Sequence, residues 1–218
     1  MVRKGELLDL AISRFLTNVV RVKDGFEMAS VCLRPSRFPQ MYDSVTDLAQ
    51  RIFAALGYTD GNFHGEGFVT PDGSLVFGEI GGRIGGGGIS VGSREIRGVD
   101  LHDEWARTVL GLPSALPLRE RPPEQAYGWI NLKGRAGRVI AAPTVQELAA
   151  RPGVVHAEMK VGPGDLAPDI SLNSSVRVGR AIVVGDDEDQ AEARLRAVSA
   201  WVTEQTVVEA TASGPEHP

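Results

Sequence analysis

With one cysteine, Cys32, in 218 residues, the chain cannot form an intrachain disulfide. Cys32 lies in the apolar run "MASVCLRP", where a buried, inert thiol is expected, and a reducing, cytoplasmic setting is the expectation that goes with it. Positive charge is scarce too. Lys and Arg number 23 against 28 Asp and Glu, a net charge of −5, which speaks against a basic face for nucleic acid or an anionic membrane. No apolar run approaches the ~20 residues that a membrane-spanning helix needs. The start, "MVRKGELLDL", has two basic residues but neither the apolar core nor the small-residue cleavage site of a secretory leader. What remains is 42% hydrophobic and 23% charged, a globular composition long enough for one large domain or two small ones.

Glycine, by contrast, is plentiful and clustered. In "GEIGGRIGGGG", residues 78–88, six of the eight positions from Gly81 to Gly88 lack a side chain, and Glu79 and Arg83 are the charged residues left among them. Glycine is entropically costly to order. Such a run inside a folded chain implies an unusual backbone path or a closely held ligand.

The periodicities predict two α+β halves with antiparallel hairpins and no regular βαβ alternation. Residues 5–34 read as strands, with "KDG" at 23–25 as a turn. A helix is expected from Ser44, with Val45, Leu48, Ala49, Ile52, Phe53 and Leu56 on one face and Gly57 as its C′ residue. In "NFHGEGFVTPDGSLVFGEI", two alternating runs flank "TPDG" and predict a β-hairpin. "SVGSREIRG" reads as weakly helical, and Asp100 opens a helix with Leu101, Trp105, Val109 and Leu112 inward. Strands are expected over 127–133 and 137–142, around "GRAG". A short helix capped by Thr144 and Glu147 follows, then strands in "GVVHAEMKV" and "VRVGRAIVVG" and a terminal helix. The expected domains are 1–112, a linker at 113–126, a small α+β domain at 127–208, and a disordered tail at 209–218.

The hairpin carries chemistry. Glu66 and Glu79 stand on either side of the turn, thirteen positions apart, so the two strands can set them opposite each other. Two carboxylates on one face repel unless a cation lies between them, and Mg²⁺ (or Mn²⁺) is the hard, oxygen-seeking ion that suits such a pair and leaves room for phosphates. Arg83 is placed to hold a phosphate or carboxylate. The backbone N–H groups of Gly85, Gly86 and Gly87, with Gly88, can receive an anion. The competing reading is a pair of solvated glutamates beside a flexible loop.

These residues, "ALGYTDGNFHGEGFVTPDGSLVFGEIGGRIGGGGI", resemble the end of an ATP-grasp domain of the carboxylate–amine ligase type, which includes the L-amino acid ligases. The resemblance implies that Glu66 and Glu79 are metal ligands holding the phosphates of ATP. It implies that Arg83 is catalytic, stabilising the acyl phosphate or the transferred phosphoryl group. "GVDLHDEWARTVLGL", "GRAGRVIAAPTVQELAARPGVVHAEMKVGPGD" and "SSVRVGRAIVVGDDEDQAEARL" are similar to the small C-terminal domain of these ligases, so the likeness spans roughly residues 5–205. The expected fold is a partial ATP-grasp subdomain, an antiparallel sheet with helices, followed by a small α+β domain. The expected function is Mg·ATP-dependent amide or peptide bond formation from a small-molecule carboxylate and an amine. Two departures stand out. Gly81 occupies the position where many ATP-grasp enzymes carry a further asparagine ligand. The nucleotide lobe that normally precedes "GELLDLAISRF" is not represented, so the chain is expected to act with a separate N-terminal polypeptide, as a homo-oligomer, or as a fragment of a longer ligase. The alternative is a shortened relative that serves as a non-catalytic binding or subunit-interaction module.

Other residues carry weaker signals. His64, two before Glu66, shares its strand face and reads as a structural or ligand-orienting residue. His156 reads as an ordinary strand histidine, and Trp105, Trp129 and Trp201 as core. Arg94 and Arg97 read as a solvated helix face rather than a carboxylate pocket. "GDDEDQAE" reads as acidic residues complementing a helix dipole, and "KVGPGD" as a turn.

Overall fold

The computed structural model describes residues 1–24, 26–116, 124–168 and 176–209. In chain order the elements begin with β1 (Val2–Arg3), β2 (Glu6–Leu7), β3 (Ile12–Phe15), a 3-10 helix (Val19–Asp24) and β4 (Met28–Leu33). Next come α1 (Pro39–Leu56), β5 (His64–Val69), β6 (Leu75–Gly81), α2 (Ile89–Arg97) and α3 (Leu101–Val109). The remainder is β7 (Ala126–Leu132), β8 (Gly137–Ala141), α4 (Val145–Ala149), β9 (Val154–Met159), β10 (Leu166–Ala167), β11 (Gly179–Gly185), α5 (Glu188–Gln205) and β12 (Val207–Val208). The mixed α and β content with antiparallel sheets agrees with the expected class.

The chain forms two compact units: Met1–Ile12 with Leu33–Glu124, and Ser13–Cys32 with the chain from Gln125 onward. Sequence order gave contiguous domains instead. The segment 13–32 belongs with the second unit because β4 pairs with β7, Met28 opposite Asn131 through Cys32 opposite Tyr127. Residues 117–123 of the expected linker and 210–218 of the expected tail lie outside the described residues.

The second unit is built on a five-stranded sheet, β3-β4-β7-β11-β9, in which β4–β7, β7–β11 and β11–β9 run antiparallel. Asp187 caps α5, its carboxylate accepting from the Gln190 N–H at 2.7 Å. The helix then lays Ala191, Leu195, Val198 and Val202 at helical spacing onto Ile130, Leu132, Ala181 and Val183 in one buried core. The fit is close: a Cβ on Gly128 would meet Leu195 Cδ1 at 2.7 Å and the Ser30 carbonyl at 2.8 Å. Trp129 is buried as expected, and Trp201 packs against this core half-buried. The two strands around "GRAG" do not pair with each other; β8 lies between β10 and β12 in a separate sheet. The Thr144–Glu147 capping box forms as read.

In the first unit, the C-terminal end of α1 and the hairpin share a cluster in which Val2, Ala49 and Phe53 are buried, with Leu7, Tyr58, Phe63 and Ile80 against them. Helix α1 starts five residues before Ser44, at Pro39, because proline has no N–H to satisfy and its fixed φ suits the first helical turn. It ends as read, with Gly57 left-handed at φ 62°. The β-branched run expected as a strand is instead the 3-10 helix Val19–Asp24, entered where the Asn18 side-chain carbonyl accepts from the Val20 N–H at 3.0 Å. On α3 the inward residue is Glu104, fully buried, while Trp105 is 51% exposed and Val109 and Leu112 are exposed. The core reading of Trp105 therefore fails. Glu104 turns inward because its Oε1 accepts the Ala115 N–H at 2.9 Å and ties down the chain after the helix.

Candidate metal and phosphate site

The β5–β6 hairpin is folded by its tip. Gly73 takes φ 83° and its N–H donates to the Thr70 carbonyl at 2.8 Å, while the Thr70 hydroxyl and the Ser74 N–H donate to the Asp72 carboxylate. The Thr70 hydroxyl bond, followed by those from Ser74, holds the Asp72 carboxyl below its ordinary value.

At the base, Phe63 contacts Phe53 edge-to-face at 4.8 Å, and Ile80 joins the same cluster. Ile80 stands opposite Gly65 in the ladder, so the face of Phe63, Gly65 and Ile80 turns toward α1. By strand alternation the other face, with His64, Glu66 and Glu79, turns away from it.

Glu66 and Glu79 are paired directly across the ladder. This depends on a β-bulge. Beyond it Gly67 pairs with Phe77, so Gly78 is the extra residue; in an unbulged register continued from the tip Glu66 would face Gly78 instead of Glu79. A Cβ on Gly78 would stand 2.8 Å from the Glu66 carbonyl, so the bulge closes only around a glycine. The sequence reading placed the two glutamates opposite each other and missed the bulge that puts them there. A lone glycine inside a strand was the available signal.

Glu66 is half-buried and Glu79 exposed. His64 Nε2 lies 3.3 Å from Glu66 Oε1. After β6 the chain turns back at Arg83, whose N–H donates to the Gly81 carbonyl at 2.9 Å. The Arg83 side chain is exposed and donates from Nη1 to the Ile84 carbonyl at 3.2 Å. The glycines that follow differ in role. Gly85 packs against the His64 ring and Gly86 has open space around it. Gly87 adopts φ 65°, and Gly88 precedes the first turn of α2 without a side-chain cap. The run thus brings backbone N–H groups to a helix N-terminus, an arrangement that favours anions.

Arg97 is anchored rather than solvated: it donates to Asp9 Oδ1 at 2.7 Å and to the Leu10 carbonyl at 3.2 Å, fixing the end of α2. Arg94 is exposed and paired with Glu95 at 2.9 Å. Asp9, missed from the sequence, had no local pattern to mark it. His156 is a half-buried residue of β9, opposite Ile182. Cys32 is buried.

Among the described residues no group of three or more His, Cys, Asp or Glu is arranged to hold a metal ion. The donor set at the hairpin is therefore two carboxylates. That fits Mg²⁺, which takes one or two carboxylates and completes its shell with water and phosphate oxygens, and it does not fit an all-protein cage. Among the described residues no helix is long and apolar enough to cross a membrane.

Comparison with known proteins bears on the fold. The fold is found in solved structures that include phosphoribosylglycinamide synthetase from Anaerococcus prevotii, with TM-score 0.71 and 12% identity over 95% of this chain and 51% of that one. Carboxyaminoimidazole ribonucleotide synthase from Aspergillus clavatus, solved with ATP, shares it at TM-score 0.59 and 20% identity over 92% of this chain and 49% of the other. These likenesses show the fold, shared over about half of each of those chains, and it is the fold that the ATP-grasp resemblance leads one to expect. More particularly, residues 132–206 match the family model of the L-amino acid ligase C-terminal domain 2. An L-amino acid ligase structure from Bacillus licheniformis aligns with TM-score 0.75 and 17% identity, covering 95% of this chain and 52% of that chain. The L-arginine-specific L-amino acid ligase of Bacillus subtilis is 26% identical over 199 residues, 89% of this chain and 46% of that protein. The likeness to the L-amino acid ligase type read from the hairpin motif is thus borne out. The chain spans about half the length of the relatives it matches.

Proposed function

We propose that this chain carries the metal- and phosphate-facing portion of an ATP-dependent carbon–nitrogen ligase of the carboxylate–amine type. The observation that carries the reading is the direct pairing of Glu66 with Glu79 on the hairpin face turned away from α1, with Arg83 and a glycine turn following at once. The ligase names of the relatives support it. In this reaction the γ-phosphoryl group of ATP passes to a substrate carboxylate, giving an acyl phosphate and ADP. An amine then attacks the acyl carbon and inorganic phosphate leaves as the amide forms. A divalent cation, when bound, neutralises phosphate charge. Glu66 and Glu79 would hold it. Arg83 has a guanidinium exposed to offer to the equatorial oxygens of the transferring group. Gly85, Gly86 and Gly87 would offer backbone N–H groups to an anion, with open space beside Gly86.

The remaining nucleotide contacts belong to further polypeptide, on the same chain, on a separate subunit or on a second copy. The hairpin supports this: Phe68, Val69, Val76 and Phe77 are 63, 56, 47 and 46% exposed on a sheet of only two strands, which is marginal unless something packs on it. The same exposed apolar strip favours the second reading, a non-catalytic interaction module.

Calorimetric titration of Mg·ATP into the chain and into Glu66→Gln/Glu79→Gln tests the first reading. Metal-dependent heat that disappears in the double variant supports the ligase reading. No heat from either protein removes the catalytic claim for this chain alone and leaves a ligase portion that binds nucleotide only with further polypeptide, or the interaction module.

A further inference from the structure

We infer that His64 is a positioning residue that locks the Glu66 carboxylate to the glycine turn, so that the cation site and the anion-receiving backbone hold their geometry together. The inference rests on the reading of Glu66 and Glu79 as a metal pair and adds a residue that contributes no ligand atom.

The imidazole sits between two partners. Its Nε2 edge meets Glu66 Oε1 at 3.3 Å, and its side chain is 18% exposed. A carboxylate oxygen accepts, so Nε2 carries the proton in this contact. Another edge faces the turn: a Cβ built on Gly85 would stand 2.6 Å from Ile89 Cδ1, 2.8 Å from His64 Nδ1 and 3.2 Å from His64 Cε1. The ring, together with Ile89, thus fills the space a side chain at position 85 would need. Across the ladder His64 is opposite Gly81, which has no side chain. The outcome is asymmetric. One oxygen of Glu66 is engaged by the ring and the other is left for a cation, whereas the Glu79 side chain has no hydrogen-bond or ion-pair partner among the described residues. Groups that hydrogen-bond a metal-ligating carboxylate fix its orientation, and their loss typically weakens metal affinity by ~10–100-fold.

The test is titration with Mn²⁺, followed by the paramagnetic resonance signal of the free ion, for the unsubstituted chain, His64→Ala, His64→Gln, Gly85→Ala and His64→Ala/Gly85→Ala. His64→Ala is expected to weaken Mn²⁺ binding about tenfold. His64→Gln, which keeps an N–H for Glu66, is expected to recover most of that loss. Gly85→Ala is expected to weaken binding comparably, because its methyl group displaces the ring. The double variant is expected to lose less than the two single losses combined, since the ring to be displaced is gone and only the flexible end of Ile89 has to give way. His64→Ala binding within twofold of the parent overturns the inference, as does a Gly85→Ala loss that adds in full to that of His64→Ala. If His64→Ala fails to fold, His64→Gln against Gly85→Ala decides the matter by the same criteria. Mn²⁺ binding lost in Glu66→Gln/Glu79→Gln but unmoved by His64 substitutions sinks His64 and leaves the metal pair standing. An unsubstituted chain that does not bind Mn²⁺ overturns the metal pair, and this inference with it.

Discussion

Strands β7 and β6 each have seven residues, yet β7 buries all seven and β6 buries none. Strand β7 lies between β4 and β11 with α5 packed on it, and its sequence "AYGWINL" has no charged residue. Strand β6 has one partner, β5, and interrupts its apolar residues with Gly78 and Glu79. The first strand holds a domain together. The second, paired with β5, sets its exposed Glu79 beside the half-buried Glu66. Burial and site are thus divided between regions, because carboxylates that receive a cation and phosphate must stay reachable, and a core that excludes water cannot offer them.

The contrast can be broken most sharply in the core of the second unit. Leu195, fully buried on α5, leaves a cavity when shortened. Leu195→Ala is expected to cost about 2–5 kcal/mol in urea unfolding, and a loss below about 1 kcal/mol would mean that α5 is not the lid its burial implies. A smaller effect is expected at the polar edge of the same unit. Burial pushes the Glu27 carboxyl up, but the hydrogen bond from Ser199, with Lys133 nearby, holds it below its ordinary value of 4.5. A carboxyl depressed on folding contributes stability that is present above the ordinary value and is lost as pH falls through the folded one. Ser199→Ala is therefore expected to cost about 1 kcal/mol at neutral pH, with the gap to the parent narrowing in unfolding curves taken at progressively more acid pH. A gap that stays constant on acidification would show that the hydroxyl acts through packing. The smallest stability effect belongs to the hairpin. Glu66→Gln/Glu79→Gln changes surface groups and is expected to stay within about 0.5 kcal/mol of the parent, while removing the Mg·ATP heat. A large destabilisation would mean that the pair is structural, and the comparison between the two strands would lose its meaning.

The elements with chemical punctuation were legible. Gly57 ends α1, Asp100 and Thr144 cap their helices, and "TPDG" folds the hairpin, each because a local hydrogen bond or a left-handed φ needs that residue. Elements whose identity depends on distant partners were not. The run before Gly25 looked β-branched, but the Asn18 side chain started a 3-10 turn instead. The inward face of α3 was misread by one position, because the fully buried residue is a glutamate whose partner, the Ala115 N–H, comes from the chain after the helix. Among site residues, the pairing of Glu66 with Glu79 could be read from hairpin arithmetic, and the likeness to ATP-grasp ligases from the motif around it.

By itself the sequence determined the hairpin, its two carboxylates, the glycine run and most helix ends, since all of these follow from short-range stereochemistry and spacing. Tertiary structure decided the rest. It drew residues 13–32 into the second unit, paired Arg97 with Asp9, and set the His64 ring between Glu66 and Gly85. The pairing of β4 with β7, of Arg97 with Asp9 and of the His64 ring with Gly85 joins positions that no local pattern relates, so only the folded chain could choose them.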